Sequence, residues 1–112
     1  ELPLVSAGEI SGNLQREGGK ILSGVDIELL DKNGRVVKTT RSEYDGFFLF
    51  EFVPYGSYKL RVAAVSAAVV GVEATLPTLA ELGKTSATVD LGIVTAKPAM
   101  RITGVGNPAQ AP

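Results

Sequence analysis

A chain of 112 residues with neither histidine nor cysteine lacks the commonest general base, the commonest metal ligand and every thiolate. Whatever chemistry it performs must come from carboxylates, amines and hydroxyls. Asp26 and Glu28 alternate along Val25-Asp-Ile-Glu-Leu29, so both lie on one face of a strand. A glycosidase pair would also need a cleft and supporting groups; the alternation around these two describes a solvated strand face instead. Asp31-Lys-Asn-Gly34 and Glu43-Tyr-Asp-Gly46 offer oxygen ligands of the kind calcium favours. Neither run has the ligand number of a calcium loop, and aspartate capping its own turn accounts for both. The expectation is no catalytic residue, no metal and no cofactor.

The aromatic residues are concentrated. Asp45 to Val62 holds all four phenylalanines and two of the three tyrosines. Phe48 and Phe50, then Tyr58, Leu60 and Val62, recur with the period of a half-buried strand. Pro54 cannot donate to a ladder, so Val53-Pro-Tyr-Gly56 reads as a turn. The stretch is expected to form a central β-hairpin that supplies the aromatic half of a core. With Phe48 and Phe50 inward, Phe47, Leu49 and Phe52 are expected on the other face, unless a bulge near Glu51 turns Phe52 inward or a later segment folds over them. An uncovered apolar patch is the mark of an interaction surface. Its candidate members are Phe47, Leu49 and Tyr55, with Lys59 and Arg61 as a charged rim. Tyr44 and Tyr55, on turns at opposite ends of the hairpin, suggest sugar stacking more weakly, since carbohydrate platforms usually use tryptophan and the chain has none.

The elements that position these residues follow in order. Residues 1–7 are a lead-in. Gly8 to Gln15 reads as a strand with Ile10, Gly12 and Leu14 on one face, and Val25 to Leu29 as a second. Asn33-Gly34 closes a tight hairpin, with Arg35 to Arg41 as the return strand. Val69 to Leu76 is expected to be a strand. Thr78-Leu-Ala-Glu81 resembles a capping box but reads as a loop with at most one helical turn. Thr85 to Val94 is the last strand, with Ala87, Val89, Leu91 and Ile93 in register. Residues 8–95 form the domain, and 96–112, rich in proline, glycine and alanine, a tail or linker.

Composition narrows the function. The apolar fraction is 45% and the formal charge −1, with eleven basic and twelve acidic residues scattered in ones and twos. No basic stripe suggests nucleic acid, and no apolar run approaches the ~20 residues of a spanning helix. Without an initiator methionine or a leader pattern, the chain is expected to be a mature form or a piece of something larger.

Gly8-x-Ile-x-Gly12, Leu22-Ser-Gly-Val25-x-Ile-x-Leu29, Asn33-Gly34, Ser42-Glu-Tyr-Asp-Gly46-x-Phe-x-Phe50, Val53-Pro-x-Gly56-x-Tyr58-x-Leu60-x-Val62 and Val89-Asp-Leu-Gly92 occur in this order. Over about Gly8 to Val94 the chain resembles the carboxypeptidase regulatory-like superfamily, the transthyretin-like or prealbumin-like β-sandwich. It is similar in particular to collagen-adhesin B-type repeats and starch-binding-like domains. The resemblance implies an all-β, Greek-key sandwich of about seven antiparallel or mixed strands. It implies a non-catalytic structural or protein-interaction module of a larger bacterial cell-envelope or secreted protein, outside the cytoplasm, with protein as partner. A carbohydrate-binding module is the alternative. Some collagen-adhesin repeats form an internal isopeptide bond from a first-strand lysine; here that strand has none, Lys20 follows it in a loop, and Asp90 stands on the last strand with outward parity.

Overall fold

The computed structural model describes residues 7–99, so all but one of the lead-in residues and most of the expected tail lie outside the description. Seven strands and one short helix follow in order: β1 Ala7–Arg16, β2 Asp26–Leu30, β3 Val36–Arg41, β4 Phe47–Pro54, β5 Gly56–Val62, α1 Ala64–Val70, β6 Thr75–Leu82 and β7 Thr88–Ala96. They make two sheets, β4-β1-β7 and β3-β2-β5-β6. β1 runs antiparallel to β4 and parallel to β7, whereas every pairing in the four-stranded sheet is antiparallel. This is the all-β, mixed sandwich expected.

Between the sheets lie Ile10, Leu14, Ile27, Leu29, Phe48, Phe50, Leu60, Val62 and Val94, all fully buried. Phe48 and Phe50 meet edge to face at 6.0 Å and 69°, the geometry favoured by ring quadrupoles. Gly8 and Gly12 let β1 pass through this crowded layer: a Cβ at Gly8 would stand 2.0 Å from the Ala87 carbonyl oxygen, and one at Gly12 2.8 Å from Phe48 Cζ. Ser42, the buried polar residue, is satisfied on both sides: its Oγ accepts from Val25 N–H (3.0 Å) and donates to the Leu22 carbonyl (2.9 Å).

The central hairpin does not form. β4 belongs to one sheet and β5 to the other, so Pro54-Tyr55 is a corner where the chain crosses the sandwich. The alternation on either side was legible, but alternation cannot say which partner a strand takes. The corner is latched by Tyr58, whose hydroxyl donates to the Pro54 carbonyl at 2.6 Å. Burial, and then the charge of Asp31, push that hydroxyl's pKa up, so it stays a donor at neutral pH.

The stretch from Ala63 to Leu82 also departs from expectation. Ala64–Val70 is a helix, closed by Gly71 in the left-handed conformation, whose N–H reaches the Ala67 carbonyl. Its start is anchored on β2 by Ala63 N–H to the Asp26 carbonyl (2.8 Å) and by Ser66 Oγ accepting from Asp26 N–H (3.1 Å). Seven residues are too few for helix propensity alone; docking decides. Thr78 to Glu81 lies within strand β6, with Leu76, Ala80 and Leu82 buried, so the capping-box match was accidental.

Candidate interaction surface

Two bulges decide what the three-stranded sheet shows to solvent. In β7 the pairing passes from Ser11↔Asp90 to Asn13↔Ile93, leaving one extra residue. Gly92, at φ 68°, absorbs it, and Asp90 Oδ1 accepts the Gly92 N–H at 2.9 Å. Past that point the parity inverts: Val94 is buried and Ile93 is 64% exposed, correcting the expectation that Ile93 continues the inward register. In β4 the pairing shifts between Gly8↔Val53 and Ile10↔Phe50. Strict alternation would carry Phe52 inward with Phe48 and Phe50. The bulge instead buries Val53 and leaves Phe52 76% exposed at φ 55°. The expected exposure of Phe52 is therefore present, but for the opposite reason: the bulge near Glu51 turns it out.

The outer face of this sheet can be read from its register. Phe47, Asn13 and Ile93 form one row across three strands, and Leu49, Ser11 and Asp90 the next. Phe47 and Leu49 are half-buried. Gln15 and Thr95 continue the face. In these rows the residues of β1 are neutral and polar, and the single carboxylate, Asp90, is tied to its own turn.

The candidate residues do not gather in one place. Lys59 and Arg61 lie on β5, in the other sheet, so they cannot rim Phe47 and Leu49. There Arg61 pairs with Glu28 (Nη2–Oε1 2.6 Å), and Arg41 with Asp26 (Nε–Oδ1 2.9 Å). Tyr55 sits at the corner, packed against the core. Tyr44, 87% exposed, is on the turn at the opposite end, so the tyrosines make no sugar platform. Ile93, Asn13 and Ser11 are the members that sequence reasoning missed; the signal was Asp90-x-Gly92, an aspartate turn and a glycine inside a strand.

The turn carboxylates cap turns. Asp31 Oδ1 accepts from the N–H groups of Asn33 (2.8 Å) and Arg35 (3.0 Å), and Asp45 Oδ1 from Phe47 N–H (3.1 Å). The Arg35 N–H bond foremost holds Asp31 below its ordinary pKa, against a partial desolvation. Among the described residues, no three His, Cys, Asp or Glu side chains are placed to share a metal. Asp90 faces Ser11 across the ladder, and β1 carries no lysine that an isopeptide would need.

The class these observations define is a two-sheet, prealbumin-like sandwich whose distinctive surfaces are faces and turns. A family model described as the carboxypeptidase regulatory-like domain matches residues 9–92, and the chain belongs to that family. Colossin-A of Dictyostelium discoideum is 36% identical over 61 residues, 50% of this chain and a share of that protein that rounds to 0%. The major pilin subunit of Bacillus cereus superposes with TM-score 0.62 at 17% identity, over 81% of this chain and 30% of that one. The minor pilin of Streptococcus agalactiae gives TM-score 0.55 at 21% identity, over 90% and 48%. A DUF3823 family protein from Parabacteroides merdae gives TM-score 0.59 at 13% identity, over 81% and 46%. At these identities the likeness is one of fold, and the chain spans less than half of each of these proteins.

Proposed function

We propose that the chain is a non-catalytic structural or protein-interaction module of a larger bacterial cell-envelope or secreted protein, and that it docks a protein through the outer face of β4-β1-β7. The observation that carries this reading is the patch of Phe47, Leu49 and Ile93 around Ser11 and Asn13 of β1, bordered by the carboxylates of Asp90 and Glu9, while the opposite sheet pairs Asp26 with Arg41 and Glu28 with Arg61. An apolar centre depleted of charge is the usual core of an interface. The pilin-like fold supports an extracytoplasmic setting, and no described helix is long and apolar enough to cross a membrane. The partner is a neighbouring domain of the parent protein or another component of its assembly.

The test is Phe47→Ser with Ile93→Ser, two residues of one row, measured for fold by urea unfolding and for association by titration against the parent protein's other domains. The expected result is a folded variant that no longer associates. A folded variant that associates as before would sink the reading.

A further inference from the structure

The two ends of the four-stranded sheet are unlike each other. At the end where β2 stops and β5 begins there is a hollow of about 220 Å³. It is smaller than the roughly 300 Å³ at which small-molecule pockets begin, so it suits one side chain. Tyr58, Leu79 and Ala80 supply its apolar lining, and Leu79 is 69% exposed. Four charged residues, Asp31, Lys32, Lys59 and Glu81, also border it. Both acids are engaged locally: Asp31 Oδ1 by its turn N–H groups, and Glu81 Oε2 by the Ser57 hydroxyl at 3.2 Å. Neither Lys32 nor Lys59 has an ion-pair partner among the described residues.

The six residues of β3 carry the chain about 20 Å to the other end of the sheet, where the turn Ser42 to Gly46 raises Tyr44. Its 87% exposure is the highest among the large hydrophobic residues described, and it stands between Glu43 and Asp45 in the chain. The turn is fixed by Gly46 N–H to the Glu43 carbonyl (2.8 Å), Glu43 N–H to the Phe47 carbonyl (2.8 Å) and the Asp45 cap. An aromatic knob with acidic flanks at one end thus matches an apolar hollow with two free ammonium groups at the other.

We propose that the hollow receives Tyr44 of a second copy of this chain, so that modules dock end to end. In that contact the ring lies against Tyr58, Leu79 and Ala80, while Glu43 and Asp45 approach Lys32 and Lys59. The contact goes beyond the sheet-face reading and uses none of its residues. It is heterologous, so it leaves a knob and a hollow free at the ends and adds copies in a row without closing. With one side chain as anchor, it is weak between free copies and strong only where modules are tethered.

Sedimentation of the 112-residue chain over a series reaching millimolar concentration tests this. The wild-type mass should rise past that of a dimer without a plateau, and less so at high salt. Tyr44→Ser removes the knob and Leu79→Glu blocks the hollow, so each variant alone should remain monomeric. Mixed in equal amounts they should form a one-to-one dimer and nothing larger, because one retains the hollow and the other the knob. Lys32→Glu with Lys59→Glu blocks the hollow by charge alone and replaces Leu79→Glu should that variant not fold. A wild-type chain monomeric throughout, a mixture that stays monomeric, or Tyr44→Ser associating like wild type would overturn the proposal.

Discussion

The outer faces of the two sheets cover one core and are built from the same alternating pattern, yet they solve exposure differently. On β3-β2-β5-β6 the register sets Asp26 opposite Arg41 and Glu28 opposite Arg61, and both pairs close into ion pairs. On β4-β1-β7 it sets asparagine and serine between Phe47, Leu49 and Ile93. One face closes two ion pairs within the molecule, and its remaining open features, Lys59 and the exposed Leu79, stand together beside the hollow at one end. The other keeps apolar area in reach of water, which is unfavourable until something covers it. The edges of both sheets are blunted as well. Lys38 of β3 stands opposite the buried Leu29, Pro77 within β6 has no N–H to offer a further strand, and β4 and β7 carry the bulges. Such devices discourage strand-to-strand addition. What remains available for docking is a face and two ends.

The comparison breaks most decisively if the Phe47 face is itself core. Phe50→Ala removes a fully buried ring and should cost roughly 3–5 kcal/mol, a large share of the 5–15 kcal/mol of an ordinary domain (roughly). Phe47→Ser, three positions earlier in the same strand and by parity on the outer side, should cost far less. Urea melts of the two variants decide it. Equal midpoint shifts would mean that something covers Phe47 and that no docking face exists.

A smaller effect of opposite sign is expected at the bulge. Phe52 holds a left-handed backbone that costs a residue with a Cβ roughly 1–2 kcal/mol, and its exposed ring recovers little by packing. Phe52→Gly should therefore stabilise the fold by roughly 1 kcal/mol, part of the strain being offset by glycine's greater entropy in the unfolded chain. A destabilised variant would show that the ring packs on the fold after all. Strain retained at an exposed aromatic is common where a surface serves binding.

These bulges also mark where the sequence stopped being legible. Strand positions, the inward set of Ile10, Leu14, Ile27, Leu29, Phe48, Phe50, Tyr58 and Leu60, and the capping turns follow from alternation and from Gly, Asn and Asp chemistry, all of which are local. Three things were not local. The partners of β4 and β5 depend on the fold, so a corner was read as a hairpin and Lys59 and Arg61 were placed beside Phe47. The helix at Ala64 to Val70 depends on bonds to Asp26, some forty residues earlier for Ser66 (|i−j| = 40). And one inserted residue at Gly92 reverses every later side chain, so Ile93 was assigned to the wrong face.

The ion-paired face can be graded by its own two pairs. Glu28 and Arg61 are the more buried, with two short contacts at 2.6 and 2.8 Å, whereas Asp26 and Arg41 share one at 2.9 Å in a more exposed setting. Double-mutant cycles should give about 0.5–1 kcal/mol for the first and about 0.5 kcal/mol or less for the second, both falling with salt. The reverse order would mean that burial does not control this face.

The smallest expected effect lies in acid, where the two faces should again differ. Asp31 ends the sheet that carries the ion pairs, and its pKa is held down first by the Arg35 N–H and then by the Asn33 N–H and nearby cations. A carboxylate whose folded pKa lies below its unfolded value binds protons more readily when unfolded. Its contribution is therefore present above the ordinary value near 3.8 and is lost as pH falls through the lower, folded value. Asp31→Asn keeps an oxygen acceptor for the turn and removes the titration. Its unfolding free energy, followed from neutral pH down through that range, should begin slightly below wild type and converge on it at the acid end. An Asp45→Asn variant, whose cap is a single bond at 3.1 Å, serves as the control at the other end of the sandwich. Parallel curves for wild type and Asp31→Asn across the whole range would show that the turn's hydrogen bonds, and not the charge on Asp31, hold this end of the sheet.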